Sequence, residues 1–176
     1  MRIDSNEIAR ALAQVYGGQY YWLTAPALVS EEHAREAITQ HIMIAPTLAQ
    51  MRNTRVVLVS VAPFPSALTQ LLVDLKYMRD VDRNALKAKG AIGEIIGWPF
   101  DAQGCVLDLP VEPIGMSIEH LRRVAEHETV IGIAGVESTR TNAILGALRG
   151  KLINVLITDH QTAEAVIKRS SGQDGT

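Results

Sequence analysis

The sequence predicts an α/β protein with an open, mostly parallel sheet and helices on both faces. Three observations carry this. Residues 56–61, 130–134 and 153–158 are continuous apolar runs of strand length, the pattern of strands buried on both sides. The last two are each followed by a helical pattern, 141–148 and 162–168, so strand and helix alternate as they do around parallel sheets. Hydrophobic residues make up 47% of the 176 and charged residues 20%, which is enough apolar material for one sizeable core.

Taken in order, Asp4 with Glu7 opens a helix on which Ile8, Leu12, Val15 and Tyr16 share a face, and Gly17 and Gly18 stop it. The aromatic run 20–23, bounded by those glycines and Pro26, predicts a short strand. Ser30, followed by Glu31 and Glu32, caps a second helix to about Gln40, and 45–51 forms a third. Asp80 opens a helix to about Lys89. The D-x-x-G turn at Asp101 marks a hairpin or small excursion over 100–105. Ser117 caps a helix over 118–126, Gly150 ends the helix before it and Asp159 caps the one after it. The polar tail 170–176 is expected to fray.

Composition excludes several classes of function. Seventeen Lys and Arg against 19 Asp and Glu give a net charge of −2, and aromatics are 5%, so neither a polyphosphate-attracting field nor a base-stacking platform is present. A single cysteine, Cys105, excludes an intramolecular disulfide and a cysteine-based zinc site, and fits a reducing cytoplasm. The start, MRIDSNEIAR, lacks the apolar region of a secretory signal, and no apolar run approaches the roughly 20 residues that span a bilayer.

In an open α/β sheet, ligands sit outside the carboxyl ends of the strands, which directs attention to 62–66, 135–140 and 158–160. The middle segment leaves a strand through AGVESTR into a helix. Amides from Ser138 to Thr141 at the helix start would attract an anion, with Arg140 adding a charge-assisted bond. GALRGKL is not a phosphate loop: its glycine spacing is too short, Leu152 stands where Ser or Thr should hold magnesium, and it ends a helix. The histidines His33, His41, His120, His127 and His160 have no metal-ligand spacing, and no nucleophile elbow exists, so neither metal nor cofactor is expected. Glu94, in GAIGEIIGW, is an acid in an apolar stretch: buried it needs hydrogen-bond donors, which a polyhydroxyl ligand would supply, and otherwise it turns to solvent at a strand edge.

Three segments in order, SNEIARALAQVYGG with APALV after it, LKAKGAIGEIIGWPFDAQG, and AILGALRGKLINVLITDHQTAEAVI, resemble the C-terminal sugar-binding domain of the SorC family of bacterial transcriptional regulators. The resemblance implies a Rossmann-like fold similar to that of sugar-phosphate isomerases and deaminases, binding phosphorylated sugars as signals without converting them. By position, Glu94 falls where the family has an acid gripping sugar hydroxyls. Arg140 falls where it has a lysine contacting phosphate or sugar, with Gly135 in the loop before, and Asp4 lies near a ligand-facing glutamine of some members. The family's AGG-x-x-K is AGVESTR here, with Val136 for the second glycine and one extra residue, so a different or non-phosphorylated effector is open.

The regulators carry a helix-turn-helix and a first strand with a phosphate loop ahead of the matched region. The expectation is therefore a partial effector domain over 1–169 with a flexible tail over 170–176. Its expected partners are a sugar or sugar phosphate and further copies of itself as a dimer or tetramer, with DNA reached only through a helix-turn-helix outside this chain. Two alternatives stand beside it: an isomerase- or deaminase-like enzyme, for which no acid-base pair is evident, and an oligomerisation module with a decayed site.

Overall fold

The computed structural model describes residues 5–109, 111–135 and 140–172. Eight helices and five strands are formed among them, in the order α1 (Ser5–Tyr16), α2 (Glu32–Thr39), α3 (Ala45–Arg52), β1 (Val56–Pro63), α4 (Ala67–Asp74), α5 (Asp80–Ala88), β2 (Gly93–Ile95), β3 (Trp98–Phe100), α6 (Ile118–His127), β4 (Thr129–Ile133), α7 (Arg140–Arg149), β5 (Val155–Ile157) and α8 (His160–Ser170). The strands make one sheet of order β3-β2-β1-β4-β5. Strands β1, β4 and β5 are parallel, whereas β2 and β3 form an antiparallel hairpin on the edge beyond β1. The parallel half is the part whose sequence reads as continuous apolar runs.

The valines of β1 divide between two faces. Val57, Val59 and Val61 join Val130 of β4, Leu121 and Val124 of α6, and Ile144 and Ala147 of α7 in the main core. Gly93 faces the same way, with Phe100 and Ala143 filling the space where a side chain would stand. Strand alternation then turns Glu94 to the opposite face, where α4 lies. Helices therefore flank both faces, as expected, but coverage of the second is uneven. Over β1, β4 and β5, Val56, Leu58, Ile133, Val155 and Ile157 are all exposed. Helix α1 is likewise amphipathic with no buried residue.

Several local expectations are met by the atoms. The hydroxyl of Ser117 accepts from the His120 amide, and the Asp159 carboxylate from that of Thr162. Asp101 Oδ1 accepts from the amides of Gln103 and Cys105, closing the excursion after β3. The β2–β3 turn places Ile96 and Gly97 both at positive φ (46° and 86°), the tight hairpin turn that matches strand twist. Gly150 follows α7, but Lys151 takes the left-handed conformation (φ 52°). Glycine is required at Gly150 because the backbone of Gly104 packs directly on it.

Two expectations need correction. Residues 20–23 form no strand, because no neighbouring strand offers them a ladder; the nearest pairing is the isolated bridge Leu28–Pro113. The cap of α2 is Glu31 rather than Ser30, without a side-chain bond. Helix α4 and strand β2 are elements that the sequence reading left unassigned.

Candidate functional site

Strand β1 ends beside two helix starts, and the candidate residues collect there. Glu94 lies opposite Ala62 in the β1–β2 register. Arg140, the first residue of α7, reaches the same end from the other side, its Nη1 donating to the carbonyl of Val61 at 3.4 Å. Gly135 follows β4 at the same carboxyl edge of the sheet, and the Asp159 carboxylate sits where a Gly135 side chain would be. The remaining two predicted site residues, Asp4 and Ser138, lie outside the described residues, as does Val136.

Glu94 is buried, 6% exposed, and so does not turn to solvent at a strand edge. Its stabilisation comes from α4. Ser66 caps that helix, its hydroxyl oxygen accepting from the amides of Leu68 and Thr69, both at 3.1 Å. With its acceptor capacity so used, the Ser66 hydroxyl donates to Glu94 Oε1 at 2.9 Å. The Thr69 hydroxyl donates to Oε2. Burial pushes the Glu94 carboxyl above the usual 4.5, and the two hydroxyls, Thr69 more than Ser66, pull it back only in part.

Neither Ser66 nor Thr69 was singled out in the sequence, although a signal exists. Ser66 stands just before Leu68, Leu71, Leu72 and Leu75, apolar residues at helical spacing. Among the described residues, the hydrogen-bond partners of Glu94 are these two hydroxyls and not a second acid or base. Among the described residues, no group of three or more His, Cys, Asp or Glu side chains is placed to hold a metal.

A cavity of about 170 Å³ opens beside Glu94 and Thr69, between α4, the β2–β3 hairpin and the segments around Leu28 and Ile114. The fold is that of an α/β domain, and the cavity lies near the carboxyl end of the parallel strands, where open α/β sheets bind ligands. Residues 1–168 match the family described as "Putative sugar-binding domain", and the chain belongs to that family.

Its relatives are regulators. It is 31% identical over 136 residues to the transcriptional regulator LsrR of an Enterobacter species, a match covering 76% of this chain and 39% of the relative. The "Putative Sugar-Binding Domain of Transcriptional Repressor" from Vibrio fischeri superposes with a TM-score of 0.80 at 30% identity, covering 96% of this chain and 66% of that one. The full-length sorbitol operon regulator SorC of Klebsiella pneumoniae shares the fold, with a TM-score of 0.78 at 23% identity over 93% of this chain and 51% of its own. The chain thus spans less than half the length of the Enterobacter regulator. No helix among the described residues is long and apolar enough to cross a membrane.

Proposed function

We propose that residues 1–169 are the effector-binding unit of a SorC-type transcriptional regulator, recognising a sugar or sugar phosphate as a signal in the cytoplasm. The observation that carries this is the buried Glu94 carboxyl, held by Ser66 and Thr69 at the same end of β1 that Arg140 reaches from α7. Glu94 engages ligand hydroxyls. Arg140, with the start of α7 behind it, engages a phosphate or polar terminus.

The unit is not an enzyme in this reading, because Glu94 has no second titratable partner among the described residues and the sequence relatives are regulators. Binding acts by favouring one assembly of copies over another, which in a regulator carrying a DNA-binding segment changes operator occupancy. The exposed apolar face of β1, β4 and β5 supports self-association into a dimer or tetramer.

A thermal-shift screen of sugars and sugar phosphates tests the reading. A ligand at about 100 times its dissociation constant adds about 2.7 kcal/mol of stability, a melting-point rise of roughly 5–10 °C for a domain of this size. Conversion of a sugar phosphate at enzymatic rates would favour the isomerase reading instead. A screen in which no sugar or sugar phosphate moves the melt would favour an oligomerisation module.

A further inference from the structure

Helix α1 and the exposed strip of the sheet are two apolar surfaces whose dimensions match. On α1, Ile8, Leu12 and Val15 recur at helical spacing with Tyr16 beside them, and all four are exposed, Val15 at 77% and Tyr16 at 81%. Of α1, α2 and α3, none of which has a buried residue, only α1 carries large exposed apolar side chains. The strip of Val56, Leu58, Ile133, Val155 and Ile157 crosses three adjacent parallel strands. Two interstrand spacings are about 10 Å, the width of one helix. Helices, not further sheets, ordinarily cover parallel strands.

The strip is therefore shaped to seat a helix, and the chain's own α1 is engaged beside it. Ala9 and Ala13, next to the Ile8–Leu12–Val15 line, border a groove with Gln50 of α3 and Val56. This holds α1 as a ridge at the Val56 rim of the strip, with its larger apolar side chains still exposed. A ridge beside a matching floor is self-complementary under a twofold axis.

We propose that α1 of one copy seats its Ile8–Leu12–Val15 line on the β1–β4–β5 strip of a second copy, while the second copy's α1 does the same in return. This deepens the self-association proposed above by naming what covers the strip. Gly17 (φ 65°) and Gly18 join α1 to the rest of the chain with nothing packed where their side chains would stand, so the helix settles to the angle that the partner's strands require. Arg10 and Gln14, on the opposite side of α1, stay in water. One helix on one strip covers up to roughly 800 Å², and the reciprocal pair reaches the roughly 1,200–2,000 Å² of stable interfaces.

Charge placed on each side of the contact tests this on the full chain by light scattering at tens of micromolar. One variant carries Ile8→Glu with Val15→Glu, the other Leu58→Lys with Ile157→Lys, all at exposed positions. Each variant alone should give half the wild-type mass. An equimolar mixture should recover the whole, because one site then sets glutamates against lysines and the other keeps both wild-type surfaces. An α1 variant that keeps the wild-type mass, or a mixture that does not recover it, overturns the proposal while leaving self-association through the strip intact. A monomeric wild type overturns both, and the effector reading is tested separately by ligand-induced melting.

Cysteine pairing gives a second readout should a charged variant not fold. With the free Cys105 removed by Cys105→Ser, chains carrying Leu12→Cys mixed with chains carrying Leu58→Cys should form a disulfide between unlike chains under mild oxidation. A product made only of like chains shows sheet packed on sheet or helix on helix. That result, or no product, overturns the proposal.

Discussion

The hydroxyl of Ser66 serves two structures at once: it closes the amino end of α4 by accepting two amides, and it gives its own proton to Glu94 across the β1–β2 junction. Helix capping and site assembly are therefore one hydrogen-bond network. Anything that displaces α4 also leaves a buried carboxyl without its donor, and the binding site inherits the stability of a short, exposed helix.

Ser66→Ala removes both functions. Loss of a serine cap costs about 1–2 kcal/mol, and the orphaned Glu94 oxygen adds a penalty of similar size. The expected outcome is a melting-point drop of roughly 4–12 °C by calorimetry. Ser66→Asp restores the cap but sets a second carboxylate against Glu94, so it should recover less than half of the loss.

The buried carboxyl sets a pH dependence of definite sign. Its folded-state pKa lies above the ordinary 4.5, so between that value and the folded pKa the native state binds more protons than the unfolded chain. The stabilising contribution of the protonated acid is full below pH 4.5 and is lost as pH rises through the folded pKa. Melting temperatures of the wild type and Glu94→Gln, measured from pH 4 to pH 8, should diverge with rising pH, the wild type falling relative to the variant. Parallel curves would show that Glu94 is not desolvated in solution.

The features legible in the sequence were those whose causes are local. Ser117 and Asp159 cap the helices they precede, and the Asp101 turn closes on its own amides, because each needs only its neighbours in the chain. The strand expected over 20–23 failed because strand formation is a pairing property, and aromatic content cannot supply a partner. Glu94 stood out as an acid in apolar company, but its donors lie 28 and 25 residues away and meet it only through the fold. The apolar runs of β1, β4 and β5 read correctly as strands suited to burial on both faces, yet one face is only partly covered here.

That partly uncovered face predicts self-association. Val56, Leu58, Ile133, Val155 and Ile157 present a charge-free strip across three parallel strands, and such strips are ordinarily covered. Light scattering at tens of micromolar, an order-of-magnitude choice that captures micromolar interfaces, should give a mass above that of one chain. Leu58→Lys combined with Ile157→Lys should return it to a monomer with little change in melting temperature, because both side chains are already substantially exposed. A monomeric wild type would remove this surface from the assembly.

The contact between Gly104 and Gly150 predicts a different kind of defect. A Cβ on Gly104 would stand 2.2 Å from the Gly146 carbonyl oxygen and 2.4 Å from the Gly150 backbone, and Gly104 is also left-handed at φ 78°. The obstruction is main chain that cannot rotate away. Gly104→Ala should cost about 3 kcal/mol or more in overpacking and strain, read as a fall in the denaturant midpoint. Gly17→Ala meets no neighbour and carries only the cost of its positive φ, about 1 kcal/mol.

In the proposed function, Arg140 takes the charged end of the ligand and Glu94 the hydroxylated one. It is the first residue of α7, so the anion-attracting helix start and the guanidinium act from one place, and its bond to the Val61 carbonyl fixes the side chain over the end of β1. Removing a charged hydrogen-bond partner costs about 1.5–3 kcal/mol. Arg140→Ala should therefore weaken a sugar phosphate by roughly 10–150-fold while changing the free sugar little, since the proposed function gives the hydroxyls to Glu94. Arg140→Lys should fall between, because an ammonium keeps the charge but cannot hold the Val61 carbonyl and a phosphate with one planar fork. Calorimetric titration of both ligands into both variants measures the difference. If Arg140→Ala weakens the free sugar and its phosphate equally, Arg140 is a structural tether between α7 and β1, and the phosphate must be sought elsewhere along the carboxyl edge of the sheet.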